Sequence, residues 1–183
     1  VQLAKGIVRT VQAIKNVDAG ALMVHVEATG ITRTGEPDHE ALAAKEQARG
    51  FLSLDLITGR VTPEHPLYGW LTAHGAAANE LAALAEQAVP LDVVGLNFYP
   101  QWSSREIGTN AAGKPVYKIV DKAGSGFSRM VESYYDRYQA PIMITETSAR
   151  GLHKVRADWL RTSLAAIKAL RGGGVPVLGY TWF

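Results

Sequence analysis

A glutamate at the end of an apolar run is the residue of this sequence best placed to do chemistry. Glu146 follows Ile142-Met-Ile-Thr145, a short run bounded by Pro141 and by Thr147-Ser148. Such a run is typical of a parallel strand that is covered on both faces. The carboxyl end of such a strand is where an α/β barrel places its catalytic side chains. In the alternative interpretation, Glu146 caps the following helix or is solvated in a loop.

Other side chains that could bind or react also stand where apolar runs end. These are Glu27, Asn97, Tyr99, Tyr180 and Trp182. His25 precedes Glu27 by two residues, so the two share one face of a strand. If that face is the interior of a barrel, both point toward its mouth. Trp102 follows the Asn97–Tyr99 run at the start of a long loop.

The elements that must position these side chains alternate along the chain. Apolar residues spaced three and four apart predict helices, and continuous apolar runs predict strands. Helices are predicted over residues 2–17, 39–58, 67–88 (interrupted near Gly75), 124–138 and 154–170. Strands are predicted over 21–26, 91–99, 142–145 and 175–183. Residues 31–38 are predicted to be a polar loop, and 101–123 a long loop with room for a short hairpin around 116–120.

This order of elements indicates the fold. Strands that alternate with helices predict a parallel sheet with crossover helices. No Gly-x-Gly-x-x-Gly and no P-loop motif follows any strand, which removes the main support for a nucleotide-binding doubly wound sheet. Polar and aromatic residues at the ends of all four strands instead favour an α/β barrel of the (β/α)₈ TIM-barrel type. Four strands are half of the eight that such a barrel requires.

Composition excludes several other classes. The 183 residues carry a net charge of +2, with basic and acidic residues interspersed, so no nucleic-acid patch is indicated. The chain has no cysteine, which excludes disulfides and thiolate metal sites. Its five histidines are far apart in sequence, so no metal site is predicted. No apolar run reaches the length of roughly 18 residues that a membrane span needs.

Both ends look cut, because the first residues lie inside an amphipathic pattern and the last follow an apolar run directly. Natural termini usually trail off in polar residues. We therefore expect residues 1–183 to form a single domain that is part of a longer protein. Signals that would assign a cellular compartment are absent from this stretch of sequence.

Three strand-end motifs resemble those of glycoside hydrolase family 1, the β-glucosidase-like retaining enzymes with a (β/α)₈ barrel. They are Asp92-Val-Val-Gly-Leu-Asn-Phe-Tyr99, Ile142-Met-Ile-Thr-Glu146 and Gly179-Tyr-Thr-Trp182, and they occur in the family's order. The resemblance covers residues 90–183 well, and residues 1–89 only through strand order and a weaker likeness at Val24-His-Val-Glu27. It implies that the chain is the C-terminal half of the barrel, strands 5 to 8, and that the N-terminal half is missing.

The resemblance also implies roles for individual residues. Glu146 matches the nucleophile, Tyr99 the tyrosine that hydrogen-bonds it, and Asn97 a neighbour of that tyrosine. Trp182 matches the tryptophan that floors the sugar subsite. Two departures stand out. Thr147-Ser148 replace the Asn-Gly that usually follows the nucleophile, and the Asn-Glu-Pro motif of the acid/base residue is absent.

The missing acid matters because retaining hydrolysis needs two carboxyl groups about 5–5.5 Å apart. One attacks the anomeric carbon, and the other protonates the leaving oxygen and then activates water. Glu27 is the remaining carboxylate at a strand end, so it is a candidate acid. Alternatively, it supports the site by orienting a sugar hydroxyl or another side chain. His25 is either a substrate-binding residue or a hydrogen-bonded interior histidine.

The expected function is therefore that of a retaining β-glycosidase acting on terminal β-linked sugars, with the acid supplied from outside this chain. Trp102 and Trp182 either stack on a pyranose ring or only pack. The alternatives are a carbohydrate-binding fragment without catalysis, and an endo-acting glucanase or mannanase of the same clan. We expect a carbohydrate substrate, no cofactor, no nucleic-acid or membrane partner, and self-association or pairing with the missing half-barrel.

Overall fold

The computed structural model describes residues 1–120 and 125–183, which form two compact units. The first unit comprises Val1–Met23 and Ala48–Leu91, and the second comprises Val24–Gln47 and Asp92–Phe183. No helix within the described ranges is both long enough and apolar enough to cross a membrane. That residues 1–183 behave as one domain stays a prediction.

The helices and strands follow one another in an α/β order. In chain order they are α1 (Gln2–Val17), β1 (Val24–Ala28), β2 (Ile31–Thr34), a 3₁₀ turn (Pro37–His39), α2 (Glu40–Ile57), α3 (Tyr68–Ala73), α4 (Ala78–Glu86), β3 (Val93–Phe98), α5 (Pro100–Ser103), β4 (Ser104–Thr109), β5 (Pro115–Ile119), α6 (Ser125–Tyr138), β6 (Ile142–Thr147), α7 (His153–Gly172) and β7 (Val177–Trp182).

The first unit is helical and is built on short apolar stripes. Val8 of α1, Leu54 of α2 and Leu81 of α4 are almost completely buried. Gly75 adopts a φ of 96° in the turn between α3 and α4, a left-handed conformation that glycine enters without steric cost. This confirms the predicted interruption of the helix over residues 67–88.

The second unit contains the main sheet, whose four strands are all parallel and lie in the order β1-β3-β6-β7. Helices α6 and α7 cover one face of it. Phe98 of β3 lies 5.3 Å from Phe127 of α6 in an edge contact and 5.9 Å from Trp159 of α7 in a stacked one. The neighbouring side chains on this face are fully buried, namely Val94, Leu96, Ile142 and Ile144. We call this the helix face of the sheet, and the opposite one the open face.

The strand and helix order confirms the prediction of a partial barrel, although some boundaries move. The first strand covers residues 24–28 rather than 21–26, so Glu27 lies within it. The strand predicted over 142–145 extends to Thr147 and includes Glu146. The helix predicted over 124–138 begins at Ser125 in the structure, and Gly124 lies outside the described residues.

A second, three-stranded sheet corrects the two predicted loops. Strand β2 lies where residues 31–38 were expected to be irregular, and it pairs in parallel with β4. Strands β4 and β5 form an antiparallel hairpin inside the predicted 101–123 loop, of which residues 121–123 lie outside the described part. The prediction of a loop over 31–38 is wrong at β2, and the hairpin within 101–123 is longer than the one expected around 116–120, since it also includes β4. Such segments become strands only through pairing that sequence periodicity does not report.

Candidate functional site

The position of Glu146 depends on a bulge in β6. Leu96 of β3 pairs with Ile144, but the next residue of β3, Asn97, pairs with Glu146, which leaves Thr145 as an extra residue. Paired residues on parallel strands point to the same face, and Ile144 points to the helix face. Regular alternation would have placed Glu146 there as well. The bulge turns Glu146 onto the open face instead, beside Asn97.

A glycine allows β3 and β6 to come close together at this point. A Cβ atom on Gly95 would lie 2.9 Å from Cγ2 of Thr145 and 3.0 Å from Cγ2 of Val26, closer than real Cβ contacts. Thr145 and Val26 therefore share the open face with Gly95. The Thr145 hydroxyl donates a 2.7 Å hydrogen bond to Oδ1 of Asn97, so the Asn97 amide group keeps its N–H donors for another partner.

Tyr99 holds the carboxylate of Glu146. Its phenol donates a 2.8 Å hydrogen bond to Oε2 of Glu146. Burial, together with the hydrogen bond to Glu146 and the charge of that carboxylate, raises the pKa of Tyr99 from 10.0 to about 12. The phenol therefore stays protonated and remains a donor throughout the physiological pH range.

The short helix α5 fixes the backbone of Tyr99. The N–H groups of Trp102 and Ser103 donate to the Tyr99 carbonyl oxygen at 2.9 and 2.8 Å. The Tyr99 N–H in turn donates to Oγ of Ser103 at 3.0 Å. Pro100 starts the turn, where its lack of an N–H costs nothing. This closed set of bonds aims the tyrosine ring at Glu146.

Thr147 anchors the strand on the other side of Glu146, a role that the sequence analysis missed. Its buried hydroxyl donates a 2.6 Å hydrogen bond to the Phe98 carbonyl oxygen and accepts a 2.9 Å hydrogen bond from Nε1 of Trp159. It thereby ties β6 to β3 and to α7 one residue after the carboxylate. The sequence signal for this anchoring role is Thr147 itself, a β-branched residue with a hydroxyl, at the position where the family that the motifs resemble usually has Asn.

Two aromatic rings flank Tyr99. The Trp102 ring centroid lies 5.6 Å from that of Tyr99 at an interplanar angle of 59°. The Phe183 ring lies 6.5 Å away on an edge, at 88°. Both side chains are largely exposed, at 54% and 68%. Phe183 was not among the residues singled out in the sequence.

Trp182 lies on the helix face of β7, away from Tyr99. It pairs with Thr147, which points to the helix face, and the Arg156 guanidinium of α7 lies 5.3 Å above the Trp182 ring. Tyr180 follows the same alternation, since its hydroxyl is 2.8 Å from Oγ of Ser163 in α7. The structure therefore brings Phe183 rather than Trp182 next to Tyr99. A sugar platform at Trp182 stays a prediction without support from this geometry.

Glu27 and His25 do not join the site. In the β1–β3 register, Glu27 pairs with Leu96 and His25 with Val94, and both partners point to the helix face. Their shared face is therefore the helix face, so the condition under which both would point toward the mouth is not met, and Val24 and Val26 occupy the open face of β1. Burial lowers the pKa of His25, with a smaller opposing effect from the charge of Asp92.

The arrangement on the open face is thus one carboxylate, one phenol donor, one amide and two exposed aromatic rings. Within the part of the chain that the structure describes, no group of three or more histidine, aspartate or glutamate side chains is placed to hold a metal ion. What the site offers is a carboxylate with one oxygen already hydrogen-bonded, next to apolar ring surface.

Comparison with solved structures places this geometry in a known fold. The family 1 β-glucosidase of Exiguobacterium antarcticum B7 matches 96% of the chain with a TM-score of 0.72 at 20% identity. The Thermotoga maritima β-glucosidase in complex with glucoimidazole matches 99% with a TM-score of 0.78 at 18% identity. The chain has the fold of part of a glycoside hydrolase family 1 barrel. This confirms, at the level of the fold, the resemblance that the three motifs carry.

The match covers much less of the other proteins. The chain spans 45% of the Exiguobacterium enzyme and 46% of the Thermotoga one. The virulence factor SghA, solved with its substrate analog salicin, is similar to 94% of the chain with a TM-score of 0.71 at 17% identity, and 43% of SghA is covered. No protein-family model and no curated protein sequence matches the chain.

Proposed function

We propose that the chain carries the nucleophile half of a retaining β-glycosidase site, with Glu146 as the nucleophile. The observation that carries the proposal is the 2.8 Å hydrogen bond from Tyr99 to Glu146, made on the open face through the bulge at Thr145. The fold supports it, since two solved β-glucosidases match the chain over most of its length. The Thermotoga enzyme was solved with glucoimidazole, a sugar-like ligand, which supports a carbohydrate as the substrate here.

We infer different tasks for the two oxygens of Glu146. Oε2 accepts the Tyr99 hydrogen bond, so Oε1 attacks the anomeric carbon of a β-linked sugar. The bond from that carbon to the leaving oxygen breaks, and the leaving oxygen takes the electron pair and a proton from an acid. Water then attacks the glycosyl ester, gives up a proton to the conjugate base of that acid, and releases the sugar and the Glu146 carboxylate.

The acid must come from outside the residues placed at this site. Glu27, the candidate within the chain, points to the helix face and away from Glu146. We therefore assign the acid to a partner that completes the barrel. The open face is suited to one, because Val24 and Val26 expose 44% and 52% of their surface there. Covering such side chains removes apolar surface from water and favours association.

The size of the protein in solution tests the pairing. We expect light scattering to find dimers or larger assemblies of the chain, or a one-to-one complex with a supplied N-terminal half-barrel. A stable monomer of the chain that does not bind the supplied half-barrel would refute this part of the proposal. It would leave the proposed role of Glu146 unaffected.

Covalent labelling tests the nucleophile without needing the acid. A 2,4-dinitrophenyl 2-deoxy-2-fluoro-β-glucoside carries a leaving group that departs without protonation, and its fluorine slows hydrolysis of the ester. We expect one fluoroglucosyl group per chain in the intact mass spectrum, located on Glu146 by peptide mapping. The Glu146→Gln variant should remain unlabelled. Labelling elsewhere, or none in the completed barrel, would overturn the proposal.

A binding-only role is the second candidate, and one observation favours it. Because Glu27 faces away, the residues that the structure describes offer the open face a single strand-end carboxylate, which is one too few for turnover. In that case the completed barrel would bind deoxynojirimycin yet would release no product from aryl β-glucosides. An endo-acting enzyme of the same clan would instead cut inside oligosaccharides, which product analysis would reveal.

A further inference from the structure

The first unit carries an exposed aromatic pair away from the residues described above. Trp70 and His74 lie one turn apart on α3 and its C-terminal cap, and their rings stack with centroids 4.3 Å apart and planes at 23°. Nearly half of the Trp70 side chain, 47%, is exposed. An exposed tryptophan braced by a second ring offers a flat apolar surface that is already ordered.

A hydrogen bond holds the histidine in this stack. Nδ1 of His74 lies 2.7 Å from the Trp70 carbonyl oxygen, which can only accept, so Nδ1 carries the hydrogen. In the neutral ring Nε2 is then an acceptor for a ligand hydroxyl. The stack therefore combines an apolar face with one oriented polar atom.

A polar wall lies near the aromatic pair and consists of Glu80 and Gln2. Glu80, in the first turn of α4, accepts hydrogen bonds from Lys5 and, at 3.2 Å, from Nε2 of Gln2. The hydrogen bond from Lys5 is the main reason that the pKa of Glu80 is lowered, so the carboxylate is ionised at neutral pH. Because Lys5 compensates its charge, the wall offers hydrogen-bonding groups without a net charge.

The two features line one cavity. Trp70, His74, Gln2 and Glu80 are among the residues that line an open cavity of about 290 Å³. The turn at Gly75 brings them together, because its left-handed φ of 96° lets α4 begin beside the end of α3. The volume is near the lower limit of small-molecule sites, about 300–1,000 Å³, which suits one or two sugar rings.

We propose that this cavity is a second carbohydrate-binding site, with the pyranose ring against Trp70 and its hydroxyls on Glu80, Gln2 and His74. A sugar fits this chemistry because it has an apolar C–H face and an uncharged hydroxyl rim. A cationic ligand would also favour the tryptophan face. However, the ammonium of Lys5 on Glu80 opposes a second positive charge. The site is independent of Glu146 and does not rest on its catalytic role.

Cellobiose titrations followed by NMR of the tryptophan indole N–H groups test the proposal, since each of the four tryptophans reports its own surroundings. We expect the Trp70 resonance to shift saturably in the wild-type chain and equally in Glu146→Gln. The buried Trp159 resonance, which stays bonded to Thr147, reports that the second unit is intact, and the far-ultraviolet circular dichroism of each variant reports its helix content. The Trp102 resonance reports on the Glu146 site, so the failure of either site is seen separately.

Variants of the cavity decide the mechanism of binding. His74→Ala removes the brace and Glu80→Gln removes the charged acceptor, and each is expected to weaken cellobiose binding several-fold as read at Trp70. His153→Ala, an exposed histidine at the start of α7, is the matched control and should change nothing. The proposal would be overturned if cellobiose did not shift the Trp70 resonance, or if it shifted that resonance equally in His74→Ala. A shift caused by choline and not by cellobiose would also overturn it.

Discussion

Strands β6 and β1 both run from apolar residues into a glutamate, yet they deliver the two carboxylates to opposite faces of one sheet. Glu146 shares a face with Asn97, whereas Glu27 shares a face with Leu96. The difference is one residue. The extra Thr145 in β6 interrupts the alternation between the faces, and β1 pairs with β3 in unbroken register.

This contrast shows how little backbone change separates a site residue from a structural one. Without its bulge, β6 would direct Glu146 toward the helix face, where Ile144 is fully buried and an ionised carboxylate would be costly. The bulge moves that carboxylate to open space beside Tyr99. Placing the functional side chain thus depends on register, which short-range sequence patterns specify only weakly.

The largest expected effect compares the two glutamates directly. In the fluoroglucoside experiment, Glu146→Gln should reduce the labelling rate on the order of 10³-fold or more, since it removes the attacking oxygen. Glu27→Gln should leave the rate within a factor of about two, because its side chain lies on the other face. The measurement is adduct formation over time by intact mass. Equal losses in both variants would contradict the assignment of the faces.

The next effect concerns the bond that anchors the bulged strand. Thr147→Val removes a buried hydroxyl and leaves the Trp159 N–H without its acceptor, so we expect a loss of about 1–3 kcal/mol in the free energy of unfolding. Urea denaturation measures it. Thr147→Ser keeps the hydroxyl and should lose much less. Thr145→Val, which removes only the partly exposed bond to Asn97, should cost about 0.5–1.5 kcal/mol, and a cost above that of Thr147→Val would contradict the ranking.

The fold was predictable where periodicity is strong. Helix α1 was predicted over residues 2–17 and forms over Gln2–Val17, because its apolar residues recur on one face. Strands β2 and β4 were not predicted, because such short segments become strands only through pairing with distant parts of the chain, whereas β5 lies where a short hairpin was expected. In the site, strand ends indicated Glu146 and Tyr99. The face of Glu27 and the position of Phe183, rather than Trp182, beside Tyr99 depend on register, which one sequence does not reveal.

The position of Phe183 beside Tyr99 predicts a smaller effect, on the affinity for a sugar-like ligand. Phe183→Ala should weaken deoxynojirimycin binding by about 0.5–1.5 kcal/mol, the usual contribution of one well-placed aromatic contact. The reason is that the Phe183 ring lies beside Tyr99 on the open face. Trp182→Ala should change the affinity less, since that ring contacts Arg156 of α7. Calorimetry on the completed barrel provides the comparison, and a greater loss in Trp182→Ala would restore the tryptophan as the platform.

The smallest expected effect is a change in the pKa of Tyr99, which distinguishes the contribution of burial from that of Glu146. The folded-state pKa of about 12 exceeds the ordinary value of 10.0, so the protonated phenol is favoured by folding. Its contribution to stability is complete below pH 10 and disappears as the pH rises toward 12. In a tyrosinate absorbance titration, Glu146→Gln should lower this pKa only partly, since burial is the largest cause and remains. Tyr99→Phe identifies the signal by its absence, and a return to 10.0 in Glu146→Gln would mean that the carboxylate, not burial, sets the pKa.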